Sequence, residues 1–317
     1  MGEMNRFNEY LQLHLIILLN SFTPIIVKFI SVPAIEIVFL RTFIALVALL
    51  VIVNYRKQRL DIDRKILLRL LFSGLLTAIF WLLIILATKF SNASVCLVGI
   101  ATGSLWVTFI NPFFTRKGIN FYQFLTGLCA VLGAYIIFSS DFQYGTGLFL
   151  AIGAAVFGAW LTILNGQLTQ TYHHYVITLY QMVGACLATL IIMPIYASYY
   201  SWEVTMVTPL GSDIFWITVQ AFVFSILLYS AVIRLMKKLT PFTVTLVNNL
   251  SPVYGILGAL LVFQEAELMN KYFYAGAIVI FCSVLAFPLT RYLATKIVIE
   301  DDEPNNDSPQ DRTNPFN

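Results

Sequence analysis

"LTPFTVTLVNNLSPVYGILGALLVFQEAEL", residues 239–268, is apolar and long enough to cross a bilayer as a helix, yet its middle holds Asn248, Asn249, Ser251, Pro252 and Tyr254. Hydrocarbon cannot hydrogen-bond the groups that such residues carry or set free, so they must face protein or a water-filled cavity. The stretch reads as a membrane span interrupted in its middle, and the surrounding sequence has to say what the interruption is for.

Of 317 residues, 59% are hydrophobic and 11% charged, with a mean hydropathy of +0.82. A water-soluble domain carries about a quarter charged residues and cannot hide this much apolar surface in one core. Apolar runs recur along the chain at the length a helix needs to cross about 30 Å of hydrocarbon at 1.5 Å per residue. They predict an all-α integral membrane protein of ten transmembrane helices, near 13–31, 34–54, 68–88, 93–114, 120–139, 145–165, 175–196, 213–233, 242–264 and 272–293.

The start, "MGEMNRFNEYLQLH", has neither a basic region before an apolar core nor a small-residue cleavage site, so the first span is expected to be retained, behind a cytoplasmic segment over 1–12. The net charge is only +3, but Lys and Arg gather after the second, fourth, eighth and tenth spans. Ten spans with both termini in the cytoplasm put nearly all of these on the inner side, as the positive-inside bias requires, with Lys89 and Lys271 as external exceptions. Cys96, Cys129, Cys186 and Cys282 sit inside apolar spans without a CxxC pattern and read as packing thiols rather than metal or disulfide partners. The acidic tail over 294–317 lacks apolar periodicity and is expected to be disordered.

The chain also repeats itself. Laying "KFSNASVCLVGIATGSLWVTFINPFFTRKGINFYQFLTG" from Lys89 on "KLTPFTVTLVNNLSPVYGILGALLVFQEAELMNKYFYAG" from Lys238, a shift of 149 residues without a gap, pairs Val95 with Val244, Leu97 with Leu246, Phe114 with Phe263 and Gly127 with Gly276. Two repeats of five spans, 13–140 and 145–293, enter the membrane from opposite faces because five is odd. Inverted repeats are typical of secondary transporters, and interrupted spans at matching places in the two halves point to the binding site. The shift sets Thr102 and Gly103 opposite Ser251 and Pro252, and Ser104 and Trp106 opposite Val253 and Gly255. The substrate-binding candidates are therefore Thr102, Ser104, Trp106, Asn248, Asn249, Ser251 and Tyr254, with bridging between neighbouring helices as the plainer role for each.

Arg41 joins them. It lies near the middle of the second span, where a cation costs at least about 2.5 kcal/mol unless it faces the bundle interior or a wet cavity. It can hold a substrate carboxylate or phosphate, or tie its helix to the carbonyls of a broken one. Lys28 and Glu265, near external span ends, are gating or coupling candidates, though Lys28 can equally reach the interface and Glu265 can be capped by Lys271. No acid stands near the middle of a span, so proton coupling through a midplane carboxylate is not expected. Gly99, Gly103, Gly127, Gly255 and Ala259 read as helix contacts.

This pattern resembles the EamA family of the drug/metabolite transporter superfamily over about residues 13–293 in two copies. "FTPIIVKF", ending on Lys28's turn, "PAIEIVFLRTFIALVALL" with Pro33 and Arg41, and the opening stretch with Pro252, Gly255, Gly258, Ala259 and Glu265 carry the resemblance. In the first half Gly103 stands where the family has Pro and Arg116 where it has Glu. The resemblance implies a ten-span transporter with internal termini that moves small metabolites.

The function expected is secondary transport, as exporter or importer, of a small metabolite such as an amino acid or a related polar or amphipathic solute. It would run by alternating access around a central cavity in the cell membrane, plasma or inner. The partners are that small-molecule solute and the lipid bilayer, with a homodimer left open and no nucleic acid; no catalytic residue, cofactor or metal is expected. The competing readings are an intramembrane enzyme of lipid-transferase type using His173 and His174 as bases, and a membrane receptor or scaffold.

Overall fold

Apolar stretches free of breakers become helices, and where a breaker falls the helix stops. The computed structural model describes residues 2–58, 60–116, 118–138, 145–200, 209–255, 272, 275–276 and 278–286. Among the described residues every regular element is helical and there is no strand: α1 (Gly2–Asn20), α2 (Thr23–Val27), α3 (Ala34–Tyr55), α4 (Arg64–Phe90), α5 (Ala93–Ile100), α6 (Gly103–Thr115), α7 (Phe121–Phe138), α8 (Gly145–Leu168), α9 (His174–Tyr200), α10 (Gly211–Val219), a π-helical stretch (Gln220–Leu228), α11 (Tyr229–Leu235) and α12 (Pro241–Asn248).

Among the described residues seven segments are long and apolar enough to cross a membrane: Phe7–Val27, Ala34–Tyr55, Arg64–Phe90, Ala93–Thr115, Gly145–Leu168, His174–Ser198 and Gly211–Leu235. They coincide with the first four expected spans and with the sixth to eighth. A shorter apolar helix, Phe121–Ile136, stands where the fifth was expected. The ninth expected span is helical over α12 and again over 251–255, with a turn at 249–250 between them, and the tenth at 272, 275–276 and 278–286. The rest of those two spans, with Glu265, Gly258, Ala259 and the acidic tail, lies outside the described residues. Outward faces are apolar, as lipid demands: Leu11, Leu15 and Leu19 recur every fourth residue along α1 and are each about half exposed. The chain is a multi-pass membrane protein.

One boundary differs from expectation. The first helix begins at Gly2 rather than near residue 13, because no Gly or Pro interrupts the chain from Glu3 to Asn20. The residues expected to form a cytoplasmic segment are thereby carried into the bundle, where Glu9 is buried and pairs with Lys238, and Arg234 Nη2 donates to Gln12 Oε1 at 3.4 Å.

Among the described residues three spans are broken. A proline at position i offers no N–H to the carbonyl at i−4 and its ring crowds that carbonyl. Pro24 acts so on Asn20 and Pro252 on Asn248, and α1 and α12 end at those two residues. Both sites read Asn-x-x-[Ser/Thr]-Pro, "NSFTP" and "NNLSP". The third break, between α5 and α6, has no proline: the Thr102 hydroxyl donates to the Gly99 carbonyl at 2.8 Å and competes with the helix ladder. Side chains restart the helices. Asn92 Oδ1 accepts from Val95 N at the head of α5, and Thr240 Oγ1 accepts from Thr243 N at the head of α12, each satisfying an orphan donor of a first turn.

α4 is central, packed on α8 and α9; α3 lies on α9 and the π-helical stretch, and α5 and α6 lie on α8. The α4–α9 crossing is close. A Cβ on Gly74 would lie 2.6 Å from the Gln181 carbonyl and 2.7 Å from Gly184 Cα, and one on Gly184 would lie 2.5 Å from the Leu71 carbonyl. Only two glycines let these backbones meet. Gly99 plays its expected part against Ala151, 2.4 Å from where its Cβ would be.

Candidate functional site

The broken helices converge. A Cβ on Gly255, just past the α12 break, would lie 2.1 Å from Leu97 of α5 and 3.3 Å from the Ser21 carbonyl at the α1 break. Asn249 Nδ2 donates to Ser104 Oγ at 2.7 Å, tying the α12 break to the first turn of α6. Beside this junction lie two adjoining cavities of about 110 and 120 Å3, which share Asn20, Phe80, Ile100, Tyr229 and Asn248 as walls. The two asparagines that end broken helices thus line both.

Arg41 lines the first cavity together with Trp81, Phe224 and Ser251. It is 2% exposed. Nε donates to Ser225 Oγ at 2.9 Å and Nη1 to Gln220 Oε1 at 3.0 Å, while the guanidinium lies over the Trp81 ring, 3.9 Å from its centroid. No carboxylate among the described residues forms an ion pair with it. The π-helical stretch makes this cradle. Residues five apart on an ordinary helix at 3.6 residues per turn point about 140° away from each other. With i to i+5 bonding they stack, so Gln220 and Ser225 fall on one side and Ser225 Oγ donates to the Gln220 carbonyl at 3.1 Å.

A second polar cluster closes on itself. Tyr229 Oη donates to Gln181 Oε1 at 2.8 Å, Gln181 Nε2 donates to Asn165 Oδ1 at 2.6 Å, and Asn165 Nδ2 donates back to Tyr229 Oη at 3.3 Å. Gln181 Nε2 also donates to Ser73 Oγ at 2.9 Å. The ring joins α4, α8, α9 and α11, and it seats Tyr229, whose ring meets Trp81 edge-on at 5.6 Å, between both cavities.

The residues expected from sequence divide accordingly. Arg41, Asn248 and Ser251 line the first cavity, and Asn248 lines the second as well. Ser251 Oγ also donates to Asn248 Oδ1 at 3.2 Å. Thr102, Ser104, Trp106, Asn249 and Tyr254 line neither cavity and bond to protein: Trp106 Nε1 donates to Thr102 Oγ1 at 3.2 Å, Asn249 to Ser104, and Tyr254 Oη meets His14 Nδ1 at 3.0 Å, joining the first expected span to the ninth. Lys28 caps the end of α2, exposed and away from the cavities. Gly103, expected to serve helix contact, has nothing within 4 Å of a would-be Cβ and opens on the second cavity. Arg116, in the place of the family's Glu, ends α6 in the left-handed conformation with φ 55°. Asn20, Gln220, Ser225 and the Tyr229 ring were not singled out from sequence. A second Asn-x-x-[Ser/Thr]-Pro in the first span, and polar residues spaced by five in the eighth, are the signals that mark them.

No curated protein matches the chain. A solved structure described only as "Crystal structure of protein" shares the fold with a TM-score of 0.67 at 15% identity, covering 87% of this chain and 96% of its own. The family model that matches is that of the EamA-like transporter family, over residues 9–139, the half in which Gly103 and Arg116 depart from the family pattern. Over those residues the chain is similar to the EamA-like transporter family.

Proposed function

We propose that the protein is a secondary transporter of a small polar or amphipathic metabolite, such as an amino acid or a related solute, working by alternating access around the paired cavities. The carrying observation is that three interrupted helices meet beside a polar-edged cavity in an otherwise apolar bundle, the arrangement in which unwound backbone is tolerated because it faces a solute. The internal repeat read from the sequence supports it: under the shift of 149 residues the turn at Ala101–Thr102 falls within one residue of the turn at Asn249–Leu250. Ten spans, with both termini in the cytoplasm of a cell membrane, complete the reading.

The test is flux of labelled amino acids and related acids into liposomes holding the purified protein. Saturable, protein-dependent flux is expected; leak-level movement of every solute overturns the proposal, and product formation without net movement favours an enzyme. The enzyme reading has less to stand on. His173 Nδ1 accepts from Tyr175 N at 3.3 Å at the head of α9, and burial, then Lys237 and Arg56, push its pKa below the ordinary imidazole value. A neutral ring serving as a helix cap is employed structurally.

A further inference from the structure

We infer that the solute carries a carboxylate that docks on Arg41, and that a net anion is taken in preference to a zwitterion. The inference rests on the transport reading and narrows its substrate class to small monocarboxylates with an apolar body.

Arg41 offers five N–H donors in a rigid fork. Two have protein acceptors, Ser225 and Gln220, which leaves three without one among the described residues. Beside them Gln220 Nε2 is buried and has no hydrogen-bond partner. A buried cation and a buried amide N–H lacking acceptors are each costly when left so. Neutral oxygens hold the guanidinium in place but do not discharge it. An anion entering the first cavity would, and bidentate acceptance by two oxygens is the geometry that an arginine fork matches.

The walls fix what the anion is attached to. Around Arg41 stand Phe80, Trp81, Ile84, Leu97 and Ile100, a surface that removes an apolar body from water. Asn20 and Asn248 add neutral hydrogen bonds at the far edge. Among the described residues that line the two cavities Arg41 is the one charged side chain, and no acid is present to meet an ammonium group. One cation matches one negative charge. A phosphate dianion would bring a second charge with no counterpart, and a zwitterion a positive charge with none.

The test uses the purified full chain in nanodiscs and four probes of nearly one shape: 3-phenylpropionate, phenylalanine, 3-phenylpropionamide and phenylalaninamide, with 4-methylpentanoate and leucine as an aliphatic pair. Binding is read from tryptophan fluorescence, since Trp81 lies against the guanidinium, and by calorimetry. Each acid is expected to bind at least about tenfold tighter than its amide and tighter than its amino acid, the size of a hydrogen bond to a charged group. Arg41→Gln should bring the acid down to the level of the amide while the amide is unchanged, and Arg41→Lys should fall between.

Equal binding of acid and amide, preference for the zwitterion, displacement by inorganic phosphate at lower concentration than by the acid, or no binding by either acid would each overturn the inference. The acid–amide comparison in the wild-type protein decides even where a variant fails to fold. Flux of the same probes in liposomes separates the two proposals: neutral and anionic probes moving alike sinks the carboxylate site and leaves transport standing, whereas acids that bind but never move sink transport and leave the site.

Discussion

The ring of Tyr229, Gln181 and Asn165 and the cradle of Arg41 lie on either side of the same aromatic contact between Trp81 and Tyr229, and both place polar groups deep among apolar helices. In the ring every member donates to the next and the circuit returns to its start. In the cradle the donors outnumber the acceptors among the described residues, with Gln220 Nε2 and three guanidinium N–H groups left over. A closed circuit needs nothing from outside and fixes four helices relative to one another; an open one is complete only with a guest. The difference separates scaffold from site where burial, polarity and depth do not.

The comparison can be broken most violently at the crossing that carries the ring. Gly184→Val pushes two methyl groups and a Cβ into backbone 2.5 Å away at the Leu71 carbonyl, and overpacking that only the backbone can relieve costs about 3 kcal/mol or more. Thermal unfolding in detergent should show a large fall in melting temperature or no monodisperse protein at all. A variant as stable as wild type would mean that the crossing is looser than its geometry implies.

Gln181→Leu tests the ring alone. It removes the acceptor of Tyr229 and the donor to Asn165, and leaves the buried Asn165 Oδ1 without that donor, at about 1–3 kcal/mol. The expected outcome is a lower melting temperature with the affinity of the remaining folded protein for the carboxylate probes nearly unchanged. Asn248→Leu is the counterpart on the open side. Asn248 lines both cavities and its Oδ1 accepts only a part-buried bond from Ser251 at 3.2 Å, so unfolding should move by no more than about 1 kcal/mol, the size of one such bond. Flux should fall by about tenfold, equivalent to about 1.4 kcal/mol. A Gln181→Leu protein that is stable but silent, with an Asn248→Leu protein that transports but melts early, would exchange the roles assigned here.

How much of this was legible in the sequence follows from the same distinction. Span positions came through because apolar run length is a one-dimensional property, and eight of the ten expected runs coincide with helices that are continuous or singly broken. The interruption at Asn248–Pro252 was legible because proline acts on its own backbone neighbours. The matching "NSFTP" in the first span carried equal information and lay at the edge of a run that still averaged apolar. Arg41 announced itself by charge. Which polar residues face a cavity and which bond across to another helix depends on partners far away in the chain: Ser104 finds Asn249 and Tyr254 finds His14, so five of the expected site residues turn inward to protein. The π-helical stretch depends on ladder bonding that apolar residues do not advertise, and only the interval between Gln220 and Ser225 marks it. Glu265 and the end of the ninth span lie outside the described residues.

The finest division lies between Ser104 and Asn249, which sit at the junction of two broken helices and share a 2.7 Å hydrogen bond. Ser104 is fully buried and Asn249 is equally closed off, so on the present reading they belong with the ring as a strap between α6 and α12. Interhelical hydrogen bonds within membranes average about 0.6 kcal/mol in coupling, small because the alternatives also find partners. A double-mutant cycle on unfolding, with Ser104→Ala, Asn249→Ala and the pair, should return coupling of about that size, and neither single variant should change the preference for acid over amide. Asn249 Oδ1 complicates its own case, since it is buried with no hydrogen-bond partner among the described residues. Near-zero coupling together with an altered acid–amide ratio would show that this oxygen reaches the bound probe in another conformation, and would move the pair from the strap to the cradle.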